Sequence, residues 1–210
     1  MRQKLIQTDI LKTLYGTNVF VPELQAQLKE KITSLSYTNI VLEIGIGEGD
    51  FLVEYANLHP DTLCIGAELK GDRVYKSMQK QQATTCENIL YYHGNILALE
   101  KEMFQSCFDL IWINFPDPWP KDRHARRRLS APGFLTIYQA ILKPHGFVNF
   151  RTDSDMLYAF TQEQVATSSF DVLIETDDFH KTDFTPKITT AFEQRFLKEE
   201  KKINFIQFQK

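Results

Sequence analysis

Three groups of residues in this sequence have the types and spacing to do chemistry. The first is EIGIGEG, Glu43 to Gly49, with glycines at 45, 47 and 49. Placed between an apolar run and a helical pattern, such glycines let the backbone turn tightly and approach a ligand closely. The next helix adds its N–H groups and positive dipole end. The second is Glu68, which closes the following apolar run 23 residues after Gly45. At about 20 residues beyond a glycine turn, an acidic side chain can accept both hydroxyl protons of a ribose. A nicotinamide dinucleotide and S-adenosylmethionine would both fit that much. Glu43 separates them, because a carboxylate beside the turn can receive an ammonium group but repels a pyrophosphate.

The third group is NFPDPWPKDRHARRRL, Asn114 to Leu129. Pro116, Pro118 and Pro120 stiffen a loop at the carboxyl end of an apolar run, where open α/β sheets place their ligands, and Asp117 is held inside it. The run Lys121 to Arg128 carries five Lys or Arg against one Asp, which leaves the rest of the chain at a net charge of -7. One positive patch on an acidic body is the footprint of a polyanion site, although a charge run is as often a solvated face. Trp112 and Phe115 read as packing residues, and Trp119 as a residue that can stack on a base. His124 reads as a surface or backbone-contacting residue. Asn95 after Gly94 can be an ordinary turn residue or a polar contact.

These groups need a scaffold, and the apolar pattern supplies one. Strands are expected over residues 40–44, 63–67, 89–92, 108–113 and 147–150, alternating with helices near 50–58, 70–82, 97–104 and 130–142. Such alternation implies right-handed β-α-β units and a mainly parallel sheet with helices on both faces, an α/β fold. Pro22 opens a lead-in helix with Leu24, Leu28, Ile32 and Leu35 on its apolar face. Past Thr152-Asp153, read as a helix cap, a last helix leads to strands 170–174 and 203–208 with no good helix between them. This makes seven strands, the last two closing the sheet as an antiparallel hairpin. The polar segment 176–190, with Pro186, reads as a long functional or mobile loop. The expectation is a single domain over 1–210, with a lead-in over 1–38 and a core over 39–210.

No apolar run approaches the roughly 18 residues of a membrane span, and the N-terminus lacks the apolar stretch of a secretory signal. Three widely spaced cysteines, Cys64, Cys86 and Cys107, suggest neither a disulfide framework nor a zinc site. These features point to the cytoplasm, with no membrane, no metal and no obligate protein partner.

The E-x-G-x-G-x-G pattern resembles the first motif of Rossmann-like methyltransferases. Joined by NFPDPWPKDRHARRRL, by RTD at Arg151 to Asp153 and by TAFEQRF at Thr190 to Phe196, it is similar to the bacterial tRNA (guanine-N7)-methyltransferase family from about residue 40 to the end. The resemblance implies a Rossmann-like class I methyltransferase. It would carry the methyl group of S-adenosyl-L-methionine to N7 of guanine 46 in the variable loop of tRNA. Glu43, Gly45, Gly47, Glu68, Asn95 and Asp117 would contact the cofactor, with Asp117 also catalytic. Lys121, Asp153, Thr190 and Glu193 would contact the substrate, and Arg123, His124, Arg126, Arg127 and Arg128 the RNA. Three departures stand out: Asn95 replaces a common Asp, Ala191 replaces the first Glu of T-E-x-E, and the N-terminal region is short and weakly basic. The proline loop also resembles that of enzymes that methylate exocyclic amines. A nicotinamide-dependent dehydrogenase would leave Glu43 and the proline-basic loop unexplained, and an RNA-binding module would leave Glu43, Glu68 and Asp117 unexplained.

Overall fold

The computed structural model describes residues 9–185 and 187–210, without the side chains of Ala191 and Phe192. The readings made on residues 1–8 and on Pro186 lie outside the described residues. The chain divides into two compact units, Met1–Phe104 and Gln105–Lys210.

The first unit has four parallel strands, β1 (Val19–Phe20), β2 (Asn39–Ile44), β3 (Thr62–Glu68) and β4 (Ile89–His93), in the order β1-β4-β3-β2. Helices α1 (Gln25–Ser34), α2 (Asp50–Leu58) and α3 (Gly71–Gln82) connect them. Every residue of β3 is buried, as expected of a parallel strand covered on both faces. At Gly66 an added Cβ would lie 2.5 Å from Leu52 Cδ2, so its absence lets α2 pack closely on the strand. Leu52, Val53, Ala56, Val74, Met78 and Ile89 form the core with Leu11 and Val19 from the lead-in. Asn88 ties α2 to β3, its amide donating to the carbonyls of Ala56, His59 and Thr62 at 2.7–3.1 Å.

The second unit contains β5 (Phe108–Asn114), β6 (Leu142–Thr152), β7 (Asp171–Thr176) and β8 (Asn204–Gln209), in the order β5-β6-β8-β7. β5 and β6 are parallel, and β8 runs antiparallel to both of its neighbours. Its helices are α4 (Pro132–Ile141), with proline in the first turn, α5 (Asp155–Ala166) and α6 (Ala191–Lys198).

Four expectations change. Among the described residues there are eight strands rather than seven, because two-residue β1 is too short to show a period. The helix expected over 97–104 is one 3-10 turn, Ile96–Ala98, beside which buried Gln25 donates to the Ala98 carbonyl and accepts from the Glu100 N–H. Ser154, not Thr152-Asp153, caps α5 by accepting from the Leu157 N–H at 3.3 Å. Finally, α6 stands between the last two strands. Its start is a capping box: the Thr190 hydroxyl accepts from the Glu193 N–H, and the Glu193 carboxylate accepts from the Thr190 N–H. Among the described residues no helix is long and apolar enough to cross a membrane.

Candidate cofactor and nucleic-acid sites

In the first unit, Gly45, Gly47 and Gly49 all have positive φ, at 79°, 56° and 81°. They differ in surroundings. A Cβ on Gly49 would fall 1.9 Å from Ser77 Oγ on α3, whereas one on Gly45 or Gly47 would meet nothing within 4 Å. The first two glycines therefore border open space, and the third makes room for a neighbouring helix. The turn is fastened to β3: Gly45 N–H donates to the Ala67 carbonyl at 2.8 Å, and Gly47 N–H to Glu68 Oε2 at 3.1 Å. Glu68 Oε1 accepts from the Lys70 N–H at 3.0 Å, and Arg73 stands 3.9 Å from Oε2. The carboxylate is thus fixed at the strand end, 6% exposed. Glu43, 2% exposed, lies on β2 in register with Gly66. Asn95 is exposed and caps the 3-10 turn, its Oδ1 accepting from the Leu97 N–H at 3.0 Å. Leu69 and Leu97, just beyond Glu68 and Asn95, are 64% and 50% exposed.

In the second unit, β5 ends at Asn114 and the proline loop begins. Phe115 and Trp119 adopt positive φ, 49° and 44°, which side chains disfavour. External bonds hold both. Phe115 N–H donates to the Arg151 carbonyl at 2.9 Å, and the Trp119 carbonyl accepts from Arg128 Nε and Nη2 at 3.3 and 3.1 Å. Asp117 lies exposed between them. The basic run forms a short 3-10 helix, Asp122–Arg127, that leaves Lys121, Arg123, Arg126 and Arg127 exposed. Arg127 lies over the Trp119 ring at 4.9 Å, and His124 meets that ring edge-on at 5.5 Å. Arg128 is different in kind. It is 5% exposed, over the Phe160 ring at 4.5 Å, and its guanidinium serves the loop rather than the surface.

Asp153 is half-buried and paired with Lys201 at 2.9 Å. Thr190 and Glu193 are buried within their capping box, and Glu193 reaches further: Oε2 lies 3.3 Å from Arg151 Nη1, and Oε1 lies 3.0 Å from His180 Nε2. In the sequence Arg151 stands out only as the first residue of the motif Arg151 to Asp153. In the structure it is a fully buried hub, donating to Asn114 Oδ1 at 2.8 Å and to the Ile188 carbonyl at 3.1 Å as well. A charged residue next to the apolar run Phe147 to Phe150, broken only by Asn149, was the available signal, since a buried charge requires partners.

The fold and the glycine turn define a class I methyltransferase. Solved structures with this fold include the 16S rRNA methyltransferase KamB, at a TM-score of 0.65 and 14% identity, covering 88% of this chain and 92% of that one. Another is a variant of the 16S rRNA (adenine(1408)-N(1))-methyltransferase from Catenulisporales acidiphilia, solved with its cosubstrate, at 0.61 and 12%, covering 87% and 89%. A family model described as "Putative methyltransferase" matches residues 37–206. The chain belongs to the tRNA (guanine-N(7)-)-methyltransferase family. It is 38% identical to the protein of that name from Metamycoplasma hominis over 171 residues, 81% of this chain and 84% of the relative. With the Mycoplasmoides gallisepticum relative it shares 33% identity over 215 residues, 99% of each chain.

Proposed function

We propose that the protein transfers the methyl group of S-adenosyl-L-methionine to N7 of a guanine in tRNA, at position 46 of the variable loop. The observation that carries this reading is the single stiff loop in which exposed Asp117 runs directly into outward-facing Lys121, Arg123, Arg126 and Arg127. A carboxylate that can face a base lies beside cations that can face phosphates.

The first unit fits the methyl donor. Space is open above Gly45 and Gly47, and each Glu68 oxygen has a lone pair to spare for a ribose hydroxyl after accepting one backbone N–H. Glu43 suits the ammonium end of the methionine moiety, Leu69 and Leu97 offer apolar surface to the adenine, and the Asn95 amide can donate to a ring nitrogen. When bound, S-adenosylmethionine supplies a methyl carbon already activated by positive sulfur.

Guanine N7 has an in-plane lone pair and no proton, so no side chain has to act as a base before attack. The N7–carbon bond forms as the sulfur–carbon bond breaks, and the base gains the positive charge. The protein's part is alignment and charge. Asp117 steadies the charge arriving on the base. Lys121, Arg123, His124, Arg126 and Arg127 hold the RNA backbone, giving salt-dependent affinity rather than base choice. Asp153 contacts the target nucleotide, while Thr190 and Glu193 shape the segment that borders it. Arg128 acts through Trp119. No metal takes part, and the reaction belongs to the cytoplasm.

The test is incubation of the protein with bulk tRNA and methyl-labelled cofactor, followed by nucleoside analysis. Label in 7-methylguanosine is the expected result, and label in any other nucleoside overturns it. Borohydride reduction and aniline cleavage of the product then locate the base; cleavage away from position 46 removes the finer assignment.

A further inference from the structure

Arg151 has no part in the chemistry above, yet its side chain joins several of the site segments of the second unit. Its Nε binds the Oδ1 of Asn114, the last residue of β5, and its Nη1 binds the Ile188 carbonyl and the Glu193 carboxylate, which flank Thr190. Its own carbonyl receives the Phe115 N–H, and Asp153 follows two residues later. The rings of Trp112, Phe115 and Phe179 lie 5.2, 5.7 and 5.1 Å from the guanidinium carbon.

The backbone at Phe115 explains what these bonds can do. A phenylalanine at positive φ stays there only where its surroundings hold it, and the Arg151 carbonyl and side chain grip residues 115 and 114 together. The same fork holds segment 188–193. A planar guanidinium can keep both grips at fixed angles, whereas an ammonium on a flexible stem cannot span them at once.

We propose that Arg151 is a positioning residue: its guanidinium and carbonyl fix the start of the Asp117 loop against segment 188–193, and the rate of methyl transfer depends on that arrangement. The inference rests on the guanine-N7 reading.

The experiment compares the parent with Arg151→Lys, Asn114→Asp and Asn114→Ala, measuring thermal unfolding, calorimetric cofactor affinity, tRNA affinity and single-turnover methyl transfer at saturation. Arg151→Lys should stay folded and keep both affinities within about twofold, while the transfer rate falls roughly 10- to 100-fold, the scale of a small misplacement. Asn114→Asp keeps an acceptor for Nε and should stay within a fewfold of the parent, whereas Asn114→Ala should lose about tenfold in rate. A parental rate in folded Arg151→Lys overturns the proposal and leaves a purely structural arginine. Should that variant fail to fold, the Asn114 pair decides: equal rates in the two variants, parental or reduced, overturn the proposal, and loss in Ala alone upholds it. The parent assay separates the two readings. If it methylates another atom, the guanine reading falls and the variants are scored on that transfer; if it transfers nothing, both readings fall.

Discussion

The glycine turn after β2 and the proline loop after β5 solve one problem, turning the chain through positive φ at a strand end, by opposite means. At Gly45, Gly47 and Gly49 the backbone reaches positive φ because side chains are absent, and the N–H groups of Gly45 and Gly47 bond to the adjacent strand end at Ala67 and Glu68. At residues 115–119 the backbone reaches positive φ although it carries Phe and Trp, and it stays there because the Arg151 carbonyl accepts from the Phe115 N–H and the Arg128 guanidinium holds the Trp119 carbonyl. One shape is written locally. The other is imposed from outside, and it should fail when its holders are removed.

The largest effect is expected at Asp117. Asp117→Ala should lower turnover by roughly 100-fold or more, as losing an electrostatic contact in a transition state commonly does, with tRNA affinity little changed. Asp117→Asn should lose as much if charge is what matters. Steady-state rates at saturating cofactor and tRNA decide it; parental turnover in both variants makes the residue a loop-stabilising one.

Next comes the glycine side of the comparison. Glu68→Ala should weaken cofactor binding by about 1.5–3 kcal/mol, the range for hydrogen bonds to a charged group, and should leave tRNA affinity alone. Calorimetry with unchanged affinity would remove Glu68 from the site.

The basic run then divides against itself. Arg128→Ala should destabilise the fold by about 1–3 kcal/mol in urea titration, because it strips the Trp119 carbonyl of two donors. Arg126→Ala with Arg127→Ala should leave stability within about 0.5 kcal/mol, but flatten the salt dependence of tRNA binding by a slope of roughly 1.4–1.8. Identical behaviour of the two sets would mean that burial does not separate them.

The smallest effect is at Gly45, where an added methyl group meets open space and only backbone strain remains. Gly45→Ala should cost about 1 kcal/mol in unfolding free energy. A cost several times larger would show that the turn is held by packing as well.

This difference also explains how far the sequence could be read. β2 to β6 and the helices α2, α3 and α4 follow from runs whose period and flanking glycines or prolines are local, and so does the turn that Glu43 to Gly49 forms. Helix α6 is hidden in the sequence although Thr190-Ala-Phe-Glu193 is a capping-box sequence, because the same four residues also read as a substrate motif and one signature conceals the other. Arg128 looked like its neighbours because charge is visible in a sequence and burial is not. The partners of Arg151, at 114, 188 and 193, are brought to it by the order of the sheet and the path of the 176–190 segment, neither of which any local pattern contains. Thr190 and Glu193, expected from the resemblance to contact the substrate, bond to one another as the capping box of α6.

The place of β8 sets a timetable. Residues 204–209 lie between β6 and β7, and Phe205, Ile206 and Phe208 are fully buried there. During synthesis β6 and β7 emerge first, and until residue 209 has cleared the ribosome both lack the strand that joins them. The first unit takes all its strands from residues before 104 and can close while the rest is still being made. The second unit waits without β8, so a pause between β7 and β8 leaves β6 and β7 open to mispairing with other nascent chains.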